Sequence, residues 1–250
     1  MSARRFAVAG ATGRLGSHVV DVLVERGHEV VPMSRATGVD VITGAGLAEA
    51  LAGVDVIIDV ASWHASDQQA ATEFFRTAAR NLHEAGQKAG AGLLVAVSII
   101  GADKATAGFL VSQQTHEEAV LAGPLPARIL RAAQFHELVG QLLDWQQGGL
   151  VHVPRLPTQL VAARTVAEAV VDLATDPDAP SPGTPIPEIA GPREEIMSEA
   201  AELLGARRNV KVVGVDEAPD AELAAAGAFL PGPHARLAGP TFREWLDAQH

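Results

Sequence analysis

The sequence predicts an α/β fold: a doubly wound parallel sheet with a smaller C-terminal lobe over its carboxyl edge. Three observations carry that prediction. Short β-type runs alternate with amphipathic helical runs through the first half of the chain. The strand runs are nearly continuous in apolar residues, as in Val54-Asp55-Val56-Ile57-Ile58, which suits a sheet covered by helices on both faces. The first strand also leads directly into Gly10-Ala11-Thr12-Gly13-Arg14-Leu15-Gly16 and then a helix.

Taken in order, residues 6–9 read as the first strand. Leu15, Val19, Val22 and Leu23 then share one face of a helix over 15–26. Gly27 can end that helix, because glycine takes the left-handed conformation without steric cost. Residues 29–33, 54–60, 93–99 and 127–130 read as further strands, with helices over 47–52, 68–87 and 112–122 between them. In the second half, Thr165-x-x-Glu168 reads as a capping box that opens a helix up to Thr175. Residues 176–187 are Pro-rich and read as a loop; strands over 186–190 and 210–215 and helices over 193–204 and 242–249 complete the chain. Residues 1–150 would form the core and 151–250 the segments that complete the sheet and build the lobe, within one integrated domain.

Composition removes several classes of function. The 250 residues, 48% of them hydrophobic, suffice for one sizeable core. A net charge of −11 gives the wrong field for wrapping nucleic acid or docking on anionic lipid. Cysteine is absent, which excludes disulfides, thiolate catalysis and Cys-ligated metal sites. No HxH, HExxH or Gly-x-Ser-x-Gly pattern occurs, so no metal site and no nucleophile elbow is expected. Met1-Ser2-Ala3-Arg4-Arg5 looks like the start of a secretory signal, but the glycine run interrupts the apolar stretch. The longest uncharged stretch, 89–102, is too short and Gly-rich to span a membrane. The expectation is a soluble, cytoplasmic protein acting on a small molecule; a homo-oligomer stays open.

The glycine turn makes a specific physical demand. Gly10 allows a tight turn, Gly13 lets the backbone approach a pyrophosphate, and Gly16 permits close helix–strand packing. The helix start then offers free N–H groups and a partial positive charge to the phosphates. The cofactor preference follows from the end of the second strand, where an NAD site usually places an acid for the ribose 2′-hydroxyl. Here the chain reads Met33-Ser34-Arg35-Ala36, with no acid between Glu29 and Asp40. Arg35 can pair with a 2′-phosphate, Ser34 can donate to it, and Arg14 can add a second cation, which favours NADP(H). The alternative is that both arginines are ordinary surface residues.

Together with Val97-Ser98-Ile99-Ile100-Gly101 and Leu130-Arg131-Ala132-Ala133-Gln134-Phe135-His136, these residues resemble the atypical short-chain dehydrogenase/reductases, in particular the NmrA-like NAD(P)H-binding proteins. The resemblance covers nearly the whole chain. It implies a Rossmann-like domain with substrate between it and the C-terminal lobe, and cofactor contacts from residues 10–16, Ser34, Arg35, Ala61, Ser62 and Gln113. It also exposes a departure. The wider family commonly carries Tyr-x-x-x-Lys, where Tyr handles the carbonyl proton and Lys lowers its pKa. Aligned through Gly108 and Glu117, Phe109 stands at the Tyr position and Gln113 at the Lys position. Tyrosine is absent from the whole chain, so no realignment restores the phenol.

The remaining candidates are weaker. Ser98, just past a strand's carboxyl end, could orient a carbonyl oxygen or merely cap a turn. His64 and His136 could donate a proton near neutral pH, or be structural histidines. Trp63, Phe109, Phe135 and Trp145 could wall a flat substrate such as a quinone, which can take its proton from water. Three readings therefore stand: a reductase of a small cyclic or aromatic carbonyl or quinone, a non-catalytic NADP(H) sensor, and a non-redox cyclase or isomerase.

Overall fold

The computed structural model describes residues 3–63, 67–145, 149–179 and 185–249. In chain order the strands are β1 (Arg5–Ala9), β2 (Glu29–Met33), β3 (Val56–Asp59), β4 (Leu93–Ile99), β5 (Ala127–Ala132), β6 (Leu150–Pro154), β7 (Pro157–Thr158), β8 (Glu188–Ala190), β9 (Glu195–Ile196), β10 (Lys211–Val215) and β11 (Arg236–Leu237). The helices are α1 (Arg14–Glu25), α2 (Leu47–Ala50), α3 (Gln68–Ala89), α4 (Phe109–Ala122), α5 (His136–Asp144), α6 (Ala163–Thr175), α7 (Met197–Arg208), α8 (Ala221–Ala225) and α9 (Phe242–Asp247). Seven strands form one sheet in the order β11-β8-β5-β4-β3-β1-β2, with parallel ladders. The expected doubly wound, Rossmann-like α/β fold is what the chain adopts.

Two compact units are built from interleaved segments. The first comprises 1–98, 109–130 and 166–186, the second 99–108, 131–165 and 187–250. In the first unit β3 is buried along its whole length, and Ala7, Ala9, Met33, Ile57, Leu94 and Ala96 are among the sheet residues in the core. Helix α3 turns Ala71, Phe75, Ala78, Ala79, Leu82 and Gly86 inward at helical spacing. Its start is capped by Asp67, whose carboxylate accepts the Gln69 and Ala70 N–H groups at 3.0 and 3.3 Å. In the second unit α5, α7 and α9 pack Val139, Leu143, Leu204, Phe242 and Leu246 against Val151 and Val153 of the β6–β10 pair.

Several local expectations are corrected by contacts that lie far apart in sequence. Thr165 does not cap α6, which begins two residues earlier. The Glu137 carboxylate accepts the Ala163 N–H at 3.2 Å and takes the capping role. The helix expected over 193–204 starts at Met197, because Glu195 and Ile196 first pair with Thr158 and Pro157. It ends at Asn209, in the left-handed conformation at φ +55°. Residues 136–144, where no helix was expected, form α5. Of the expected loop 176–187, residues 180–184 lie outside the described residues. No helix among the described residues is long and apolar enough to cross a membrane.

Loss of the α6 cap has a measurable consequence. Glu137→Ala should cost about 1 kcal/mol, lowering the thermal midpoint by about 2–4 °C. Thr165→Ala should shift it less; scanning calorimetry of the two variants checks the assignment.

Candidate functional site

β1 has β2 on one side and β3 on the other, so the succession of strands reverses there. In open α/β sheets the ligand crevice lies at the carboxyl ends beside such a switch point. The loops after β1, β2 and β3 meet at this place and are bonded to one another. Gly10 and Ala11 both donate their N–H groups to the Met33 carbonyl, at 3.0 and 3.2 Å, and Val60 donates to Ala9 at 3.1 Å.

The three glycines have distinct roles here. Gly10 has φ +79°, and a Cβ on it would lie 2.7 Å from the Val60 carbonyl oxygen. A Cβ on Gly16 would sit 2.0 Å from the Gly10 carbonyl oxygen, so helix α1 can approach the turn only because that residue has no side chain. Gly13, the N-cap of α1, is different: its Cβ would meet only the Gly10 oxygen, at 3.1 Å. No side chain caps α1 and no acid stands in its first turn, which leaves the helix dipole to an anion. Leu15 is buried and Thr12 exposed. The Ala11 N–H is given to Met33, so it is not free to donate to a phosphate.

After β2 the chain makes a single 3-10 turn, Arg35–Thr37, held by a reciprocal cap. Ser34 Oγ accepts the Thr37 N–H at 3.3 Å, and Thr37 Oγ1 accepts the Ser34 N–H at 2.9 Å. The Ser34 hydroxyl thus already serves the backbone as acceptor, and the neighbouring Arg35 is exposed. Arg14, the first residue of α1, is exposed too. After β3, Ala61 is half-buried, Ser62 is exposed and Trp63 is 47% exposed. His64 lies outside the described residues.

On α4, Phe109 and Gln113 stand one turn apart; Gln113 is buried and Phe109 half-buried. Aromatic rings run in file through this unit. Trp63 meets Phe74 at 5.9 Å, Phe74 meets Phe75 at 5.4 Å, and Phe75 meets Phe109 at 5.9 Å. Ser98 is the penultimate residue of β4, not a residue beyond it. Its Oγ is buried with no hydrogen-bond partner among the described residues. A buried donor left unpaired is costly, and a substrate oxygen or a water would recover that cost.

In the second unit, His136 is a correction. It is fully buried at the start of α5, with Nε2 donating to the Pro240 carbonyl at 3.1 Å and its ring against Phe242 and Trp245. Burial pushes its pKa down to about 4, partly opposed by the Pro240 bond. That environment fits a packing histidine, neutral at pH 7, although its buried Nδ1 has no hydrogen-bond partner among the described residues. Trp145 is 55% exposed at the end of α5.

Asp59 and His116 are both almost fully buried in the first unit, with His116 Nε2 3.1 Å from Asp59 Oδ2; sequence reasoning places His116 on the helix of Gln113 without establishing a common pocket, and it does not single out Asp59. A carboxylate inside a buried strand run was the available signal. Among the described residues, no group of three or more His, Asp or Glu could hold a metal ion.

The turn is shaped for a dinucleotide: two glycines are sterically obligatory, and the third leaves space above an uncapped helix start. A family model described as NAD(P)H-binding matches residues 10–177. The chain belongs to the NAD(P)H-binding family. Its fold is that of an atypical short-chain dehydrogenase/reductase. No curated protein matches the sequence. Among solved structures, MoeE5 in complex with UDP-glucuronic acid and NAD is 16% identical, over 98% of this chain and 97% of that one, with a TM-score of 0.71. The Bordetella bronchiseptica enzyme WbmG, in complex with NAD and UDP, is 15% identical over 99% and 95%, TM-score 0.69. A short-chain dehydrogenase/reductase superfamily protein from Agrobacterium tumefaciens with bound NAD is 15% identical over 98% and 95%, TM-score 0.67. At these identities the likeness is one of fold.

Two outcomes follow for this family member. Gly16→Ala should cost about 1–3 kcal/mol through overpacking against the Gly10 carbonyl, visible as a lower urea midpoint. For His136, the ordinary pKa of 6.5 falls to about 4 on folding, so between these values the unfolded chain binds more protons. Its contribution is therefore complete above pH 6.5 and is lost as the pH falls toward 4, amounting to about 3 kcal/mol. Urea unfolding at pH 7 and pH 5 should show a smaller loss for His136→Leu than for the unmodified protein.

Proposed function

We propose that this protein binds NADP(H) and uses it to reduce a small cyclic or aromatic carbonyl or quinone without a tyrosine relay. The observation that carries the cofactor preference is the end of β2. An exposed Arg35 stands there, and no acid lies between Glu29 and Asp40. Arg35 and Arg14 would hold the 2′-phosphate, with Ser34 between β2 and Arg35 as a further polar contact. The N–H groups in the first turn of α1, over residues 14–16, would hold the pyrophosphate, and Gln113 a ribose hydroxyl. The bound nicotinamide supplies the hydride.

The protein's own share is orientation. Ser98 would donate its unspent hydroxyl proton as a hydrogen bond to the substrate oxygen. The ring file from Trp63 to Phe109 favours a flat apolar substrate. Reduction of a quinone to a hydroquinone takes a hydride and a proton. The proton comes from water, which needs no phenol. The absence of tyrosine favours a second reading, a cofactor-binding sensor without turnover, and substrate conversion without net NADPH loss would mark a cyclase or isomerase.

The test is calorimetric titration with NADPH and NADH, followed by a quinone and ketone panel read as loss of NADPH absorbance. Arg14→Ala with Arg35→Ala should raise the NADPH dissociation constant by about 10–100-fold, the worth of charge-assisted bonds, and that for NADH far less. Equal effects on both overturn the 2′-phosphate assignment. Tight binding with no turnover across the panel favours the sensor. Gly13→Ala should weaken both nucleotides by about tenfold, with the thermal midpoint nearly unchanged.

A further inference from the structure

Asp59 ends β3 at 1% exposure and His116 lies in the middle of α4 at 2%. Both oxygens of the carboxylate are engaged. Oδ2 meets His116 Nε2 at 3.1 Å, and Oδ1 accepts the Ala61 N–H at 3.0 Å. The far face of the imidazole is not open either, since the Phe75 ring lies 4.9 Å from it at 32°. A carboxylate buried so deeply in an apolar strand is retained only with such partners.

What the carboxylate fixes is the backbone that touches the glycine turn. A Cβ on Gly10 would lie 2.8 Å from the Ala61 nitrogen and 2.7 Å from the Val60 oxygen. The Val60 N–H is given to Ala9. The backbone at 60–61 is therefore held on one side by the turn after β1 and on the other by Asp59. Asp59 is in turn aimed from α4, the helix that carries Phe109 and Gln113.

We propose that Asp59 and His116 are positioning residues for the nicotinamide dinucleotide. His116 aims Asp59, Asp59 fixes Ala61, and the Ala61 backbone keeps the glycine turn in the conformation that receives the pyrophosphate. Neither side chain touches the cofactor. The inference rests on the cofactor reading given above.

A comparison with a second buried histidine separates positioning from plain packing. His83 on α3 is 1% exposed; its Nε2 meets the Val120 carbonyl at 2.8 Å and its Nδ1 accepts the Leu125 N–H at 3.3 Å. Neither of these hydrogen bonds reaches the loop after β3. The experiment measures NADPH and NADH dissociation constants from nicotinamide fluorescence, with thermal midpoints, for His116→Leu, His116→Gln, Asp59→Asn and His83→Leu.

His116→Leu should weaken both nucleotides by about tenfold or more. His116→Gln, whose amide N–H can still reach the carboxylate, should recover most of that loss. His83→Leu should lower the midpoint while leaving both dissociation constants within about threefold of the unmodified protein. Unchanged affinity in a folded His116→Leu, or an equal loss in His83→Leu, overturns the inference. If His116→Leu does not fold, Asp59→Asn decides: weakening by about tenfold, with His116→Gln near the unmodified value, supports positioning, and affinity unchanged in Asp59→Asn overturns it. Absence of binding of either nucleotide to the unmodified protein overturns the cofactor reading, and this inference with it.

Discussion

The approach of α1 to the turn after β1 sets the geometry on which the rest of the first unit depends. With a Cβ at position 16 only 2.0 Å from the Gly10 oxygen, the helix start can sit against the turn only as glycine. Once seated, the turn is fixed by the Met33 carbonyl, which takes two N–H groups from it, and by the backbone at 60–61, which fills the space beside Gly10. One steric constraint thereby aligns the ends of three neighbouring strands. It also aims the uncapped end of α1 at the place where the strand order reverses. Fold and site are the same contact seen at two scales.

That dependence explains what could be read in the sequence. Glycine at positions 10, 13 and 16 is a local requirement of backbone space and torsion, and local requirements leave local marks. The apolar strands and the amphipathic face of α1 are visible for the same reason. Side chains whose role depends on a distant partner leave no such mark. For His136 the sequence leaves proton donor and structural histidine both open, because nothing near it in sequence reveals Pro240, 104 positions away. The start of α6 was misplaced because its cap comes from Glu137, 26 residues upstream, while Thr165 and Glu168 offered a plausible local box. Asp59 and His116 are 57 positions apart. Only the oddity of a carboxylate within a buried strand hinted that a partner had to exist.

The departures on α4 belong together chemically. Phenylalanine at 109 continues a line of rings from Phe75, and glutamine at 113 is buried. Relative to the Tyr and Lys that the resemblance would place there, these residues offer no phenol proton donor and no ammonium charge. Such a pair suits a substrate whose reduction draws its proton from solvent. It does not suit an alkoxide that must be protonated at the instant it forms, where an oriented donor contributes most. On the proposed reductase reading, the absence of such a relay would narrow the chemistry without abolishing hydride transfer, because that step belongs to the nicotinamide.

A net charge of −11 sits at first awkwardly with a doubly or more highly charged anion as ligand. The conflict dissolves on the scale of screening. At physiological ionic strength exposed charges farther than about 8 Å are largely hidden from one another, so the field at the crevice is set by its immediate walls. There the first turn of α1 holds no acid, its dipole end is uncapped, and Arg14 and Arg35 are exposed. For the proposed nucleotide ligand, the charges that matter are therefore the few inside that screened neighbourhood, and not the net charge of the chain.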